Sequence, residues 1–528
     1  MCGIFAAIES DMGLESLKTW SEKVAHRGPD NSQIIEIDQK VTMGFHRLRI
    51  NGVNSFSDQP MLLDGIYLIA NAEVFNHKDL EQKYKFDIKS QSDCEVILHM
   101  YKNFGIERTV LELDAEFAFV IYDTNKQQVF AARDHLGIRG MYMGRQDSGA
   151  IYFASEAKAL SFTDKVIHFP PRTWWTDGEA ESFNTYYDLK FAIHSDQKES
   201  THLATINTLL RESVKKRMMS DRNVGCLLSG GLDSSLISAI VAEAADDPQD
   251  IETFSIGMEG SPDLIAAQEV ADHIGTKHHS IKATEETFIK ALKETVYFCG
   301  SYDVTTIRAS VGHQLVSNWI KDHSDVKVVF SGETADEFGS YLYFQNAPSP
   351  DAFQEEAIRL LEDIHYFDML RGDRSVSSAG LEARVPFADK KFMEYYMGIE
   401  PEQRMFGEGK MEKYLIRKAF EKDNLLPASV LWRRKNGFSD SVSKKNKSWS
   451  QIIRSHIDSI ITDVEYETER TKFSFHTPET KEGYYYRKLF LDFYGAACDQ
   501  LTPYQWLPRW CGDVKDPSAR MLEIYEAD

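Results

Sequence analysis

Residues 224–245 read VGCLL (224–228), SGGLDS (229–234) and SLISAIVAEAA (235–245), which is an apolar strand, a glycine-containing loop and an apolar helix. Paired glycines let backbone N–H groups approach phosphate oxygens, and the start of the following helix favours an anion. The loop lacks the glycine spacing and the terminal Gly-Lys-Ser/Thr of a Walker A motif. The stretch therefore predicts a phosphate-binding strand–loop–helix unit of another kind.

The segments on either side of this stretch predict two regions of different fold. After residue 201, long helical runs alternate with short apolar strands at 223–228, 251–256 and 326–330, which is typical of βαβ units around a parallel sheet. The first 160 residues are β-rich, with short strands predicted at 3–8, 33–37, 66–70, 117–122, 128–132 and 151–155. A polar segment at 186–200 lies between them. We expect an α/β protein with domains at 1–190 and 191–528.

Length, composition and charge exclude several classes of protein. The 528 residues exceed one ordinary domain, and 42% hydrophobic with 27% charged residues is a globular composition. Lysine and arginine number 60 against 82 aspartate and glutamate, a net charge of −22 that disfavours nucleic-acid and membrane partners. The N-terminus lacks the positive charge that opens a secretory signal, and long apolar runs are absent, so we expect a cytoplasmic protein.

The six cysteines lack CxxC or Cys/His ligand spacing, which disfavours a disulfide framework and a zinc site. Cys2 differs from the other five cysteines because it directly follows Met1. Removal of Met1 would leave a terminal cysteine that supplies both a thiol and an α-amine with a reference pKa near ~8 as its general base. The sequence therefore predicts Cys2 as a nucleophile.

Several separated segments support this role. His26-Arg27-Gly28-Pro29-Asp30, Arg47-Leu48, Asn71-Ala72-Glu73 and Ser92-Asp93 together resemble the glutaminase domain of class II, N-terminal-nucleophile amidotransferases, an αββα sandwich. Glutamine needs a guanidinium for its carboxylate, a carboxylate for its ammonium and donors for the oxyanion. The resemblance implies that Arg47 and Asp93 bind those charges and that the Asn71 side chain and residue 72 N–H form the oxyanion hole. The implied glutamine pocket comprises Arg47, Leu48, Arg49, Ile50, Asn51, Asn71, Ala72, Glu73 and Asp93.

The SGGLDSS segment resembles the PP-loop of ATP pyrophosphatases, which cleave ATP between the α and β phosphates. Asp233 is a candidate Mg²⁺ ligand, since magnesium uses one or two carboxylates together with phosphate oxygens. By resemblance, Asp336 of SGETADE (331–337) shares the metal and Glu333 orients or deprotonates the ammonia. The resemblance also implies that Lys435 contacts the phosphates. The implied ATP site comprises Leu227, Leu228, Ser229, Gly230, Gly231, Asp233, Ser234, Ile256, Ser331, Gly332 and Lys435.

The segments YDVTTIRAS (302–310), GLEARVPF (380–387) and KMEK (410–413) resemble the glutamine-hydrolysing asparagine synthetases, and the likeness extends over essentially the whole chain. It implies that ammonia released at Cys2 travels through an internal tunnel to β-aspartyl-AMP made from aspartate and ATP·Mg²⁺. Arg308 suits an anionic substrate or this intermediate. The expected partners are therefore glutamine, aspartate and ATP, with a homodimer expected from the family.

Two departures from the family pattern leave alternatives open. Ala72 replaces the usual glycine, and we expect a weakened glutaminase if that backbone position needs a positive φ. The segment SGETADEFGS (331–340) is one residue shorter than the family pattern SGEGSDEVFGG and lacks two of its glycines. The alternatives are a synthetase that uses free ammonia, a related amide-forming or cyclising synthetase of the β-lactam synthetase type, and a non-catalytic homologue. The retained Cys2, Arg47, Asn71 and Asp93 argue against the cyclising type.

Overall fold

The computed structural model of the protein describes residues 1–178, 182–195, 197–407, 409–434, 442–443 and 447–516. Two antiparallel sheets come first, and a parallel sheet surrounded by helices follows. None of the helices within these ranges is long and apolar enough to cross a bilayer.

The first half contains two six-stranded antiparallel sheets. One sheet has the order β10-β8-β9-β1-β3-β2 and the other has the order β12-β11-β7-β6-β5-β4. The strands are β1 (Gly3–Ile8), β2 (Asn31–Glu36), β3 (Val41–Arg47), β4 (Met61–Leu63), β5 (Ile66–Val74), β6 (Ala115–Asp123), β7 (Gln128–Arg133), β8 (Tyr142–Arg145), β9 (Ile151–Ala154), β10 (Lys165–His168), β11 (Thr173–Thr176) and β12 (Asn184–Thr185).

The two sheets pack face to face through alternate side chains. Ile4 and Met43 of the first sheet contact the cluster that holds Ile69 and Val120 of the second. Because side chains in a strand point alternately to opposite faces, neighbouring residues such as Leu68 face outward onto a helical layer. Central strands such as β1 and β6 are therefore buried on both faces.

The second half is organised around a five-stranded parallel sheet with the order β15-β14-β13-β16-β17. The strand order reverses direction at β13, and ligands of open α/β sheets bind outside the carboxyl ends of the strands at such a point. The strands are β13 (Val224–Leu227), β14 (Glu252–Gly257), β15 (Lys277–Lys282), β16 (Val328–Phe330) and β17 (Glu382–Arg384).

Helices cover the sheets and form most of the second half. The helices of the first half are α1 (Leu14–Ser21), α2 (His77–Tyr84) and α3 (Glu95–Glu112). Those of the second half are α4 (Glu199–Arg217), α5 (Leu232–Ala244), α6 (Pro262–Ile274), α7 (Glu285–Cys299), α8 (Val304–His323), α9 (Pro350–Asp363), α10 (Asp368–Ser377), α11 (Lys390–Met397), α12 (Pro401–Arg404), α13 (Tyr414–Phe420), α14 (Ala428–Leu431), α15 (Trp449–Ile460), α16 (Asp463–Glu469) and α17 (Lys481–Tyr494).

The two halves share a buried interface. Leu48 and Ile138 of the first half belong to the same apolar cluster as Leu232 and Val385 of the second. Buried ion pairs cross the same interface, as between Arg27 and Asp373 at 2.8 Å. Removing one partner of such a buried pair costs about 3–5 kcal/mol, so these contacts fix how the halves meet.

The predicted fold class is confirmed: a two-sheet α/β sandwich precedes a domain with a parallel sheet. Each strand predicted from the sequence overlaps an observed strand, and β1 has the predicted bounds. The prediction missed several strands, among them β3, which lies between β1 and β2 in the first sheet. Its sequence VTMGFHR contains a glycine and a buried histidine, which weaken the β-branched pattern that marked the other strands.

Candidate active sites

The first candidate site lies at the start of β1. The backbone N–H of Cys2 donates to Asn71 Oδ1 at 2.9 Å, and the backbone N–H of Leu48 donates to Cys2 Sγ at 3.4 Å. Burial raises the pKa of the Cys2 thiol. Met1 is buried too, with its ammonium 3.2 Å from the Leu381 carbonyl. With so little exposure, Met1 could be removed only before this interface forms.

Asn71 of β5, in the neighbouring sheet, is hydrogen-bonded to Cys2. Its Oδ1 accepts from Cys2, while its Nδ2 is buried and has no hydrogen-bond partner among the residues that the structure describes. A buried donor without a partner costs about 1–3 kcal/mol, which a substrate oxygen bound beside Cys2 would recover. The Asn71 amide is therefore placed to donate to an oxyanion.

Ala72 is extended backbone within β5, and it is absent from the residues with positive φ. The premise for a weakened glutaminase is therefore wrong, because alanine adopts this conformation without strain. Ala70 and Val74 direct their N–H groups to Gln59 and Asp93, away from β6. Ala72 lies two residues from each of them, and alternate residues of a strand direct their N–H groups to the same side. The Ala72 N–H therefore also points away from β6.

The charged residues of the predicted glutamine pocket meet through Asn51. Asn51 Nδ2 donates to Glu73 Oε2 at 2.8 Å and lies 3.5 Å from Asp93 Oδ1, while its carbonyl accepts from Arg47 at 3.1 Å. Burial raises the pKa values of Glu73 and Asp93. The Arg47 guanidinium also donates to the carbonyl of Asn54 at 2.8 Å. The structure thus brings the predicted cation and carboxylates together around one loop.

The other predicted pocket residues differ in whether they contact Cys2. Leu48 contacts the thiol as described, and Ile50 is buried in the apolar cluster shared by the two halves. Arg49 is tied to Asp58 at 3.1 Å, with its backbone N–H donating to Asp30. Arg49 therefore supports the loop rather than contacting Cys2.

Arg384 connects this pocket to the second half, and it was not predicted as a site residue although it lies in the GLEARVPF segment. Its guanidinium lies 3.0 Å from Glu73 Oε2, and its carbonyl accepts from the backbone N–H of Ser331 at 2.9 Å. Glu73 belongs to the first candidate site and Ser331 to the second. One residue of β17 therefore contacts both.

The second candidate site is a cavity of about 270 Å³ at the carboxyl ends of β13, β14 and β16. Its size and position suit a nucleotide-binding crevice of an open α/β sheet. Its lining includes most of the residues predicted for ATP, metal and ammonia: Leu227, Leu228, Ser229, Gly231, Asp233, Ser234, Ile256, Ser331, Gly332, Glu333 and Asp336.

The loop between β13 and α5 is held by its own side chains and by close packing. Ser229 and Ser234 are hydrogen-bonded through their hydroxyls at 2.9 Å. Gly230 has φ +74°, and a Cβ there would lie 2.6 Å from the Ala267 backbone nitrogen. Gly230 therefore faces α6 rather than the cavity, and only glycine fits between this loop and that helix.

The SGETADE segment meets the first loop at Gly332, where a Cβ would lie 2.8 Å from Ser234 N. The Glu333 side chain is 6% exposed, and desolvation raises the pKa of its carboxyl group. Its Oε1 lies 3.3 Å from Arg371 and 3.4 Å from His313. In the described part of the chain, its Oε2 has no hydrogen-bond partner. The carboxylate therefore has one oxygen held and one available at the cavity.

Thr334 stands where the family segment has glycine, and it adopts φ +81°. A β-branched residue at positive φ is strained by about 1–2 kcal/mol, and the Thr334 hydroxyl is also buried without a partner among the described residues. The loop therefore holds a left-handed turn at Thr334 at a cost in stability.

We expect the Thr334→Gly variant to be more stable than Thr334→Ala by about 1 kcal/mol, which raises the midpoint of thermal unfolding by about 2–4 °C. Both variants remove the buried hydroxyl, but only glycine removes the strained Cβ. The neighbouring Ala335→Gly is the control, since Ala335 lacks a positive φ and glycine should lower the midpoint there. A lower midpoint for Thr334→Gly than for Thr334→Ala would contradict the strain.

Lys413 lies between the two carboxylates predicted to bind metal. Its ammonium forms ion pairs with Asp233 and, at 2.5 Å, with Asp336. Burial lowers the pKa of Lys413, but the attraction of the two carboxylates outweighs that effect and leaves the pKa above its ordinary value. Two carboxylates therefore converge on one cation.

For two residues that the sequence assigned to this site, Lys435 and Arg308, the structure provides no support. Lys435 lies outside the described residues. Arg308, expected at the substrate, is directed away from the cavity and paired with Glu482 at 2.6 Å and Asp516 at 2.8 Å. The expected role of Arg308 at the substrate is therefore wrong. Because its guanidinium is occupied by these buried ion pairs, Arg308 connects α8 to the C-terminal segments instead.

Arg371 supplies a cation at the cavity where Arg308 does not. It lines the cavity between Glu333 and Asp368, which is 2.7 Å away. Arg371, His313 and Lys413 were all missed as site residues, although KMEK contained Lys413. A single Lys or Arg carries no sequence signal when its partners come from distant segments.

Comparison with known proteins assigns both halves. Residues 1–209 match the family model of a glutamine amidotransferase domain, and residues 205–351 and 345–511 match that of asparagine synthase. Glutamine-hydrolysing asparagine synthetases of Cricetulus griseus, Homo sapiens and Gallus gallus are each 39% identical to this chain over an alignment of 561 positions, gaps included. Each alignment covers 100% of this chain and 99% of the relative. The chain therefore belongs to the family of glutamine-hydrolysing asparagine synthetases.

Proposed function

We propose that this protein makes asparagine from aspartate and ATP, using ammonia that it releases from glutamine. The observation that carries the proposal is the presence in one chain of Cys2 beside the unpartnered Asn71 amide and of a nucleotide-sized cavity lined by Asp233, Glu333 and Asp336. The domain boundary is proposed near residue 190, between β12 and α4.

The proposed first reaction begins at Cys2 after removal of Met1. The α-amine takes the thiol proton, and Sγ attacks the side-chain amide carbon of glutamine. Asn71 Nδ2 and the Ala72 N–H stabilise the oxyanion, while Arg47 and Asp93 bind the substrate carboxylate and ammonium. Expulsion of ammonia leaves a γ-glutamyl thioester, which water hydrolyses to glutamate.

The proposed second reaction occurs in the cavity. The β-carboxylate of aspartate attacks the α-phosphorus of ATP, pyrophosphate leaves, and β-aspartyl-AMP forms. Ammonia then attacks the acyl carbon, Glu333 accepts a proton from it, and AMP leaves as asparagine forms. The apolar contact between the halves around Leu48, Ile138 and Leu232 is the proposed route for ammonia, since it keeps the molecule away from bulk water.

The residues at the cavity fit Mg²⁺. Asp233 Oδ1 is buried without a hydrogen-bond partner among the described residues, and Asp233 and Asp336 already converge on one cation. These two residues would hold the ion, leaving its other positions to phosphate and water. When bound, Mg²⁺ would neutralise charge on the phosphates. Location in the cytoplasm and assembly as a homodimer are proposed from the family.

The test is incubation with aspartate, ATP and Mg²⁺ and either glutamine or ammonium. Glutamine should yield asparagine, glutamate, AMP and pyrophosphate, and ammonium should yield the same products except glutamate. Asparagine from ammonium alone would indicate a defective glutaminase, and AMP without asparagine would favour a cyclising or other amide-forming synthetase. Absence of AMP with both nitrogen sources would contradict the proposal and favour a non-catalytic homologue.

A further inference from the structure

Lys413 occupies the position between the two proposed metal ligands. The residue is 3% exposed, and its ammonium contacts Asp233 from the first phosphate loop and Asp336 from SGETADE. The residue precedes α13 and adopts φ +58°, a conformation that is uncommon outside glycine. The backbone thus carries some strain while it delivers this ammonium to the paired carboxylates.

A metal ion and this ammonium cannot occupy the same space. Mg²⁺ binds carboxylate oxygens at about 2.0–2.1 Å, so two carboxylates that share it must close around the ion. An ammonium in that position excludes the ion by volume and by like charge. Metal alone would therefore have to expel a buried cation that has no other carboxylate partner among the described residues, which is unfavourable.

We propose that Lys413 is a counter-cation that holds the paired carboxylates in the nucleotide-free protein, so that Mg²⁺ enters only together with the triphosphate. The inference rests on the proposed function of the cavity. The triphosphate gives the displaced ammonium new anionic partners, so that the exchange keeps every charge paired. Nucleotide and metal would then bind as a unit, and metal alone would leave the site unchanged.

The test uses Mn²⁺ without nucleotide, because carboxylate sites for Mg²⁺ also accept Mn²⁺ and bound Mn²⁺ loses the sharp EPR signal of the free ion. The wild-type protein should bind Mn²⁺ at this site only weakly. Lys413→Met should create one site with affinity on the order of 100-fold higher than wild type. Lys413→Arg keeps the positive charge and should resemble wild type.

Two further variants locate the gained site. The double variant Lys413→Met/Asp336→Asn should lose it, because one of its ligands is removed. Lys216→Met is the matched control: Lys216 also bridges two carboxylates, Asp114 at 2.7 Å and Asp389, but Arg217 stays paired with Asp389 at 2.9 Å. Lys216→Met should therefore gain no site.

Tight binding of Mn²⁺ to the wild-type protein that Asp336→Asn removes would overturn the proposal, and this result needs no Lys413 variant. Failure of folded Lys413→Met to bind Mn²⁺ would overturn it as well. Neither measurement requires turnover. A protein that binds Mn²⁺ as predicted but makes no AMP would contradict the proposed function alone, so the two failures are distinguishable.

Discussion

Replacing Cys2 by alanine is expected to abolish glutamine hydrolysis and glutamine-dependent asparagine synthesis, while synthesis from ammonium continues. Cys2 Sγ is the atom that must form the thioester, and the loss of a catalytic nucleophile costs on the order of 10⁴-fold or more in kcat. The aspartate and ATP cavity contains no part of Cys2. Glutamate and asparagine, quantified from parallel reactions with glutamine and with ammonium, measure the two effects separately.

The neighbouring thiol provides the control. Cys94 is buried, and its Sγ donates to the carbonyl of Ala72 at 3.6 Å, so Cys94→Ala removes a second sulfur from the same region. We expect it to lower stability by about 1 kcal/mol and to retain glutamine hydrolysis within about tenfold. If Cys2→Ala lost synthesis from ammonium as well, the two sites could not be independent as proposed. Glutamate release that survived Cys2→Ala would exclude Cys2 as the nucleophile.

The sequence predicted those features whose signal is local. The SGGLDSS segment is a strand, a loop and a helix that are contiguous in the chain, and the structure places it at the strand-order reversal of the parallel sheet. The orientation of the Ala72 N–H could not be predicted from a local segment. It depends on which residues of β5 face β6, and the pairing with Phe117 fixes that register.

Interactions between distant segments could not be predicted in this way. Arg308 was assigned to substrate because an arginine suits an anion, yet it is paired with Glu482 and Asp516, 174 and 208 residues away in the chain. Lys413 lies 180 residues from Asp233. An isolated charged residue has the same sequence appearance whether its partner is a substrate or a buried side chain, so only the folded arrangement separates these cases.

Replacing Glu333 by glutamine is expected to stop amide formation while the first half of the synthetase reaction persists. Oε1 is held by Arg371 and His313, and the other oxygen is placed to accept a proton from the attacking ammonia. General-base catalysis contributes about 10²–10⁴-fold, so asparagine formation should fall by that factor. Aspartate-dependent exchange of labelled pyrophosphate into ATP should remain, since it reports formation of β-aspartyl-AMP.

The two measurements on one variant serve as each other's control, because retained exchange demonstrates an intact fold and nucleotide site. Glu333→Asp keeps a carboxylate on a shorter side chain and should recover part of the lost amide formation. Equal loss of exchange and of amide formation would instead place Glu333 in substrate or nucleotide binding. Full asparagine formation by Glu333→Gln would exclude its carboxylate as the base, since a glutamine side chain cannot accept this proton at neutral pH.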